Sequence, residues 1–241
     1  MEIVIYGAGV LAQLTKESVI TSGSNVAGMI DPLGNTEYKN LKEFDKDCDI
    51  IIDFSHFSSL NDILEYAVKN KKPVIIATTG HSKEQTALIE EAAKHIAVLK
   101  ATNTSFGVTM VNEILSYAAK LLKGFDIELI EKHHNRKIDS PSGTAGTMLE
   151  IIQASIDEGR DLVYGREGNS KRTAKEIGVH SVRAGNIVGE HTVIFSRGDE
   201  IIEIKHEALS RKMFADGAVD AALKLVNKKS GLYSMKDLLI V

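Results

Sequence analysis

Between Glu131 and Ala145 the chain concentrates the side chains with the most chemical capacity. Glu131-Lys132-His133-His134-Asn135-Arg136-Lys137 holds two histidines and three cations, and Ile138-Asp139-Ser140-Pro141-Ser142-Gly143-Thr144-Ala145 follows directly. Histidine, with an ordinary pKa of ~6.5, keeps both protonation states accessible near neutrality. Lys137 adds fixed positive charge. The Ser-Gly-Thr run precedes an apolar-periodic stretch (Met148, Leu149, Ile151, Ile152, Ile156), so it reads as a helix N-terminus with open backbone N–H groups. Such a segment can offer a proton donor, a cation and several N–H groups to one small anionic molecule. His133 and His134 are adjacent and point to opposite faces of an extended segment, so no metal site is expected from them. The competing reading of the same residues is a solvated charged edge.

A second group of residues points to a dinucleotide. Gly7-Ala8-Gly9-Val10-Leu11-Ala12 follows an apolar run at 3–6 and opens a helical pattern. The first glycine suits a tight turn, the second a close approach of backbone to pyrophosphate, and the helix N-terminus favours the phosphate charge. Asp31 closes the second apolar run about 20 residues on, where a carboxylate accepts from the adenosine ribose. Pro32 follows it and no Arg or Lys occurs until Lys39, so NADH is expected to serve at least comparably to NADPH. Ala77-Thr78-Thr79-Gly80 and Ala101-Thr102-Asn103 follow two further strand candidates, at the sheet end where doubly wound folds bind ligands.

These residues need elements to hold them. Strand candidates at 3–6, 26–30, 50–54, 74–77 and 97–101 alternate with helical patterns at 11–21, 60–70 and 83–95. Several of the strands are continuously apolar, as strands buried on both faces of a parallel sheet are. The pattern predicts a Rossmann-like, doubly wound α/β domain, with Ser58 or Ser59 and Ser82 as helix N-caps. After Asn103 the rhythm changes to a helix at 108–122, a strand at 126–132, a helix ending near Gly159, and β-rich segments at 177–184, 191–196 and 200–206. Strands without intervening helices are expected not to be parallel neighbours, so this half reads as α plus antiparallel β. The last thirty residues return to a helical pattern and end in Leu238-Leu239-Ile240-Val241.

The 241 residues, 43% hydrophobic and 26% charged, suit one or two domains with their own cores. A net charge of -4 gives no attraction to nucleic acid or an anionic membrane. Cys48, the single cysteine, has no partner for a disulfide or a thiolate metal site and is expected to be a buried bystander. No apolar run reaches the ~18–20 residues of a membrane span. The chain opens on a strand with no secretory leader pattern, so the cytoplasm is the expected location.

The segment 131–145 closely resembles the signature of the dihydrodipicolinate reductases, the nicotinamide-dependent enzymes of the diaminopimelate route to lysine. The resemblance extends to Ala77–Gly80 and Ala101–Ser105, although Ala77 stands where a glycine is usual and Thr104 where an aromatic residue can occur. It continues at 164–168, 181–191, 214–218 and 231–235, and so covers essentially the whole chain. It implies a dinucleotide-binding domain at 1–104 rejoined by 212–241, and a domain at 105–211 with a mixed or antiparallel sheet that binds substrate and assembles a homotetramer. It implies NADH or NADPH as cofactor, held by Gly7, Ala8, Gly9, Val10, Leu11 and Asp31, with Ala77, Thr78, Thr79, Ala101, Thr102 and Asn103 at the nicotinamide. The substrate it implies is a small cyclic dicarboxylate. His133 would give the proton and Lys137 would hold a carboxylate and steady developing charge. His134 would hydrogen-bond the substrate, and Ser142, Gly143 and Thr144 would cradle its other carboxylate. Asp139 is expected to order the loop through backbone hydrogen bonds, and His180, His191 and His206 to serve packing or an interface. An acylating aldehyde dehydrogenase needs a cysteine in the second half, where none occurs, and a sensor without catalysis has no use for a poised acid.

Overall fold

The computed structural model describes residues 1–157 and 159–239, and the chain divides into two compact units, Met1–Phe106 with Arg211–Val241, and Gly107–Ser210. In chain order the elements are β1 (Glu2–Tyr6), α1 (Val10–Thr21), β2 (Asn25–Ile30), β3 (Ile50–Asp53), α2 (Leu60–Lys69), β4 (Val74–Ile76), α3 (Lys83–Ala93), β5 (Ala97–Lys100), α4 (Phe106–Leu121), β6 (Asp126–His133), α5 (Gly143–Ser155), β7 (Asp161–Tyr164), β8 (Glu176–Arg183), β9 (Gly189–Arg197), β10 (Glu200–Ala208), α6 (Lys212–Leu225), β11 (Gly231–Tyr233) and α7 (Met235–Leu239).

The first unit is a wholly parallel sheet in the order β11-β5-β4-β3-β1-β2. The central residues of its strands are apolar because both faces are covered. Ile3 and Ile5 of β1, with Ile50, Ile52, Ile75 and Leu99, pack against α1, α6 and α7. Val4 and Tyr6, with Ile51, Val74, Ile76 and Val98, pack against α2 and α3. The chain leaves β1 toward β2 and returns to β3 on the other side, so the strand order reverses at β1/β3, where such sheets take their ligands. The tail adds β11 beside β5 and lays α7 in the same core, and the last two residues of the expected tail, Ile240 and Val241, lie outside the described residues.

Ser82 caps α3 with a reciprocal box, its hydroxyl accepting from Gln85 N and the Gln85 side chain accepting from Ser82 N. Of the two serines expected to cap α2, Ser59 holds the N-cap position. Ser59 already has helical angles (φ -82°, ψ -9°) and makes no side-chain cap, because a 3-10 turn at Phe57–Ser59 runs straight into the helix. His56 caps that turn instead, accepting from Ser58 N. Cys48 is buried, and burial foremost pushes its thiol up to about 11.

The second unit is a sheet in the order β10-β9-β6-β8-β7. Leu115 and Ala119 of α4 and Ala145, Met148, Leu149 and Ile152 of α5 cover one face, against Ile127, Leu129, Ile177, Val179, Val193 and Phe195. β6 pairs antiparallel with β9, and β9 with β10 through a two-residue connection, Gly198-Asp199. The sheet is mixed, since β6 is parallel to β8 and β8 to β7, and the expectation that strands without an intervening helix are not parallel neighbours is corrected. β7 and β8 are parallel neighbours joined by a loop without a helix, which is long enough to recross the sheet. α5 ends at Ser155 rather than near Gly159.

Candidate active site

In the first unit the carboxyl end of β1 turns at Gly7, whose φ of +133° is a conformation that favours glycine. A Cβ there would stand 2.6 Å from the Phe54 carbonyl, so this glycine is needed to bring the β1 and β3 loops together. Gly9 differs. It is the N-cap of α1 with no side-chain cap, its φ is an ordinary -70°, and a Cβ on it would meet nothing within 4 Å. The first turn of α1 carries no acid, and its open N–H groups at Val10 and Leu11 suit a pyrophosphate. Ala12 is buried where the fingerprint's third small residue packs helix on strand.

Asp31 is buried and its Oδ2 accepts from Asn35 N at 3.2 Å and Asn35 Nδ2 at 2.6 Å, which folds the loop after β2 around the carboxylate. Beside the ends of β1 and β2 lies an open cleft of about 590 Å³ whose lining includes Tyr6, Pro32, Lys39, Asn40 and Lys42. Ala77 N donates to the Asp53 carbonyl and Ala101 N to the Ile76 carbonyl, both at 3.1 Å, so the two threonine-bearing loops start at the same sheet end. Asn103 Oδ1 accepts from Ser105 N at 2.9 Å, and Thr102 is exposed. Asp53, which the sequence reading passed over, ends β3 as a buried carboxylate that burial pushes up while Ser55 N and Oγ donate to it.

In the second unit β6 buries alternate residues, Ile127, Leu129, Glu131 and His133, so the core face turns polar at its carboxyl end. The charged-edge reading is thereby excluded for these two, since Glu131 is 0% exposed. Cross-strand register sets Glu131 beside Ser181 and His191, and His133 beside Arg183. Arg183 grips Glu131 with Nη1 at 2.9 Å from Oε2 and Nη2 at 2.6 Å from Oε1. Ser142 N adds a third donor at 3.2 Å from Oε1, and His133 Nδ1 lies 2.5 Å from Oε2. Burial alone would raise the Glu131 pKa, but hydrogen bonds from Arg183, Ser181 and His133 outweigh it and hold it at about 2.

Ser142 caps α5 by accepting from Ala145 N, and its hydroxyl also lies 2.9 Å from His191 Nε2. With its N–H on Glu131, this buried serine ties the start of α5 to β6, and Gly143 and Thr144 form the first turn of the helix. His191, expected to serve packing or an interface, is buried beside His133. Its ring stands edge-on to His133 at 5.2 Å, and burial, then the neighbouring His133, push its pKa down to about 4. The Lys137 ammonium lies 2.8 Å from Asp139 Oδ1 on a turn closed by Lys137 N to the His134 carbonyl. Asp139 therefore orders the loop by a side-chain ion pair, with its carbonyl taken by Arg183. His134, just past β6, is partly exposed, and His180 and His206 lie on β8 and β10. Glu131, Arg183 and His191 were the residues missed as site members, because only sheet register brings them together. Among the described residues no group of three or more potential ligands is placed to hold a metal ion.

A parallel sheet with an uncapped, glycine-led helix at its strand reversal, followed by a unit that presents a carboxylate-anchored histidine, defines a two-part Rossmann-type dehydrogenase. Family models agree: "Dihydrodipicolinate reductase, N-terminus" matches 5–104 and "Dihydrodipicolinate reductase, C-terminus" matches 107–239. The chain belongs to the dihydrodipicolinate reductase family. It is 46% identical over 240 residues to the 4-hydroxy-tetrahydrodipicolinate reductase of Brachyspira hyodysenteriae, covering 99% of this chain and 100% of that one. It is 44% identical over 233 residues to that of Caldanaerobacter subterraneus, covering 95% and 92%. Among solved structures, a dipicolinate-bound dihydrodipicolinate reductase from Paenisporosarcina shares the fold with a TM-score of 0.78 at 21% identity, covering 97% of each chain.

Proposed function

We infer that this chain reduces 4-hydroxy-tetrahydrodipicolinate to tetrahydrodipicolinate with NADH or NADPH, in the diaminopimelate route to lysine. The single observation that carries the residue-level reading is His133 at the end of β6 with Nδ1 anchored on buried Glu131. The nicotinamide cofactor supplies the hydride. Gly7, Ala8, Gly9, Val10 and Leu11 hold the pyrophosphate, Asp31 takes the adenosine ribose, and Ala77, Thr78, Thr79, Ala101, Thr102 and Asn103 orient the nicotinamide. His133 gives its proton to the ring after hydride arrival. Lys137 exchanges Asp139 for a substrate carboxylate, His134 hydrogen-bonds the substrate, and Gly143 and Thr144, shaped by Ser142, cradle the second carboxylate at the positive end of α5.

The residues 1–104 with 212–241 thus serve the dinucleotide, and 105–211 serve the substrate and assembly. We further propose a cytoplasmic homotetramer. The apolar Ile201, exposed on β10, and the exposed Leu209 after it support assembly through this sheet. No helix among the described residues is long and apolar enough to cross a membrane. The test is consumption of NADH and NADPH, side by side, when the product of dihydrodipicolinate synthase is supplied. Turnover with NADH at least comparable to NADPH is expected. Tight dinucleotide binding with no turnover overturns the reading, and light scattering at the mass of one or two chains overturns the tetramer.

A further inference from the structure

We propose that Glu131 is the positioning residue for His133: clamped by Arg183, it takes the Nδ1–H of the imidazole and leaves Nε2, beside Gly189, as the nitrogen that exchanges the proton. This deepens the functional reading above and rests on His133 being the donor there.

Glu131 has no freedom to turn. It is fully buried, both its oxygens accept from the Arg183 fork, and Ser142 N fixes Oε1 from a second element. A bidentate guanidinium sets the plane of a carboxylate as well as neutralising it. Oε2 then meets His133 Nδ1 at 2.5 Å. An ionised carboxylate only accepts, so in this contact the hydrogen sits on Nδ1. The hydrogen bonds that hold Glu131 ionised, at about 2 against the cost of burial, are consistent with that assignment.

Gly189 supplies an independent observation at the other nitrogen. A Cβ at position 189 would stand 3.1 Å from His133 Nε2 and 3.5 Å from Cδ2, so any side chain there would crowd that edge of the ring. The neighbouring His191 ring, edge-on at 5.2 Å, directs its own Nε2 to Ser142 rather than to His133. The imidazolium thus carries two N–H bonds of different fate. The Nδ1–H stays on Glu131. The Nε2–H breaks as its proton forms a C–H bond with the electron-rich ring carbon left by hydride addition, and water later returns a proton to Nε2.

The experiment is long-range proton–nitrogen correlation NMR on the full chain with labelled histidine, His133 being assigned by the His133→Gln spectrum. In the unaltered protein, neutral His133 is expected as the Nδ1–H tautomer with a bare Nε2. An Nε2–H tautomer overturns the proposal whether or not any variant folds. In Glu131→Gln the tautomer should become mixed and kcat fall by at least about tenfold, with dinucleotide affinity unchanged; an unaltered tautomer overturns the assignment. Gly189→Ala should lower kcat with the Nδ1–H tautomer retained, and undiminished kcat overturns the role of Nε2. Failure of the unaltered protein to turn over substrate would instead sink the functional reading, and would leave the tautomer result standing.

Discussion

The Ser142 hydroxyl and His191 Nε2 lie 2.9 Å apart, joining the N-cap of α5 to the start of β9 through two buried side chains. The buried setting of this ring favours the neutral imidazole. Burial first, and the charge of His133 second, push the His191 pKa down to about 4, below the ordinary ~6.5 of an unfolded histidine. The unfolded chain therefore takes up this proton more readily than the folded one. The stability contributed by neutral His191 is complete above pH ~6.5 and is lost as pH falls toward about 4, with an upper bound on the order of 3 kcal/mol. Urea unfolding of wild type and His191→Gln between pH 4 and 8 checks this. The stability gap between them should narrow as pH falls, and a gap independent of pH contradicts the account.

His133→Gln should lower kcat by roughly 10²–10⁴-fold, the usual span for removing a general acid. Dinucleotide affinity should hardly change, because His133 belongs to the second unit and the phosphate turn to the first. Steady-state kinetics with a direct NADH titration separates the two. Surviving turnover with weakened cofactor binding would remove His133 from its role.

Much of this arrangement is readable in the sequence, and the part that is not has a physical reason. Ile3–Tyr6 and Ile50–Ile52 announce two-sided burial because no polar residue interrupts them, and Gly7 and Gly9 mark the turn by spacing alone. His133 and Lys137 stand out through their chemistry. Glu131 does not, since a carboxylate in a run of charges reads as surface until the pleat counts it onto the core face with Ile127 and Leu129. Its partner Arg183 is 52 residues away, and the parallel pairing of β6 with β8 that joins them has no local signature. β7 and β11 are short and partly exposed, so no periodicity marks them.

Lys137 and Asp139 form an ion pair at 2.8 Å, so the carboxylate of Asp139 occupies the group proposed to receive the substrate's carboxylate. The Lys137 hydrogen bond holds the Asp139 pKa below the usual carboxylate range, which keeps the competitor charged at neutral pH. Lys137→Ala should therefore raise KM and lower kcat together. Asp139→Asn should lower KM by removing the competing charge while leaving dinucleotide affinity unchanged. Initial-rate kinetics on the two variants decides it: an unchanged KM in Lys137→Ala excludes the anchor, and a raised KM in Asp139→Asn excludes the exchange.

The two glycines of the first turn should fail in opposite ways. Alanine at position 7 meets the Phe54 carbonyl at 2.6 Å and inherits a φ of +133°, so Gly7→Ala forces β1 away from the β3 loop. Steric and backbone strain of this kind costs on the order of 1–3 kcal/mol, and the variant should unfold at lower urea than wild type. Alanine at position 9 meets no atom within 4 Å and keeps an ordinary φ of -70°, so Gly9→Ala should unfold within about 0.5 kcal/mol of wild type. Its methyl instead occupies the space a pyrophosphate needs at the uncapped α1, and NADH affinity should fall at least about tenfold. Urea denaturation paired with NADH titration reads both quantities on the same samples. Unimpaired NADH binding by Gly9→Ala would show that the open space beside this residue is not where the phosphates lie.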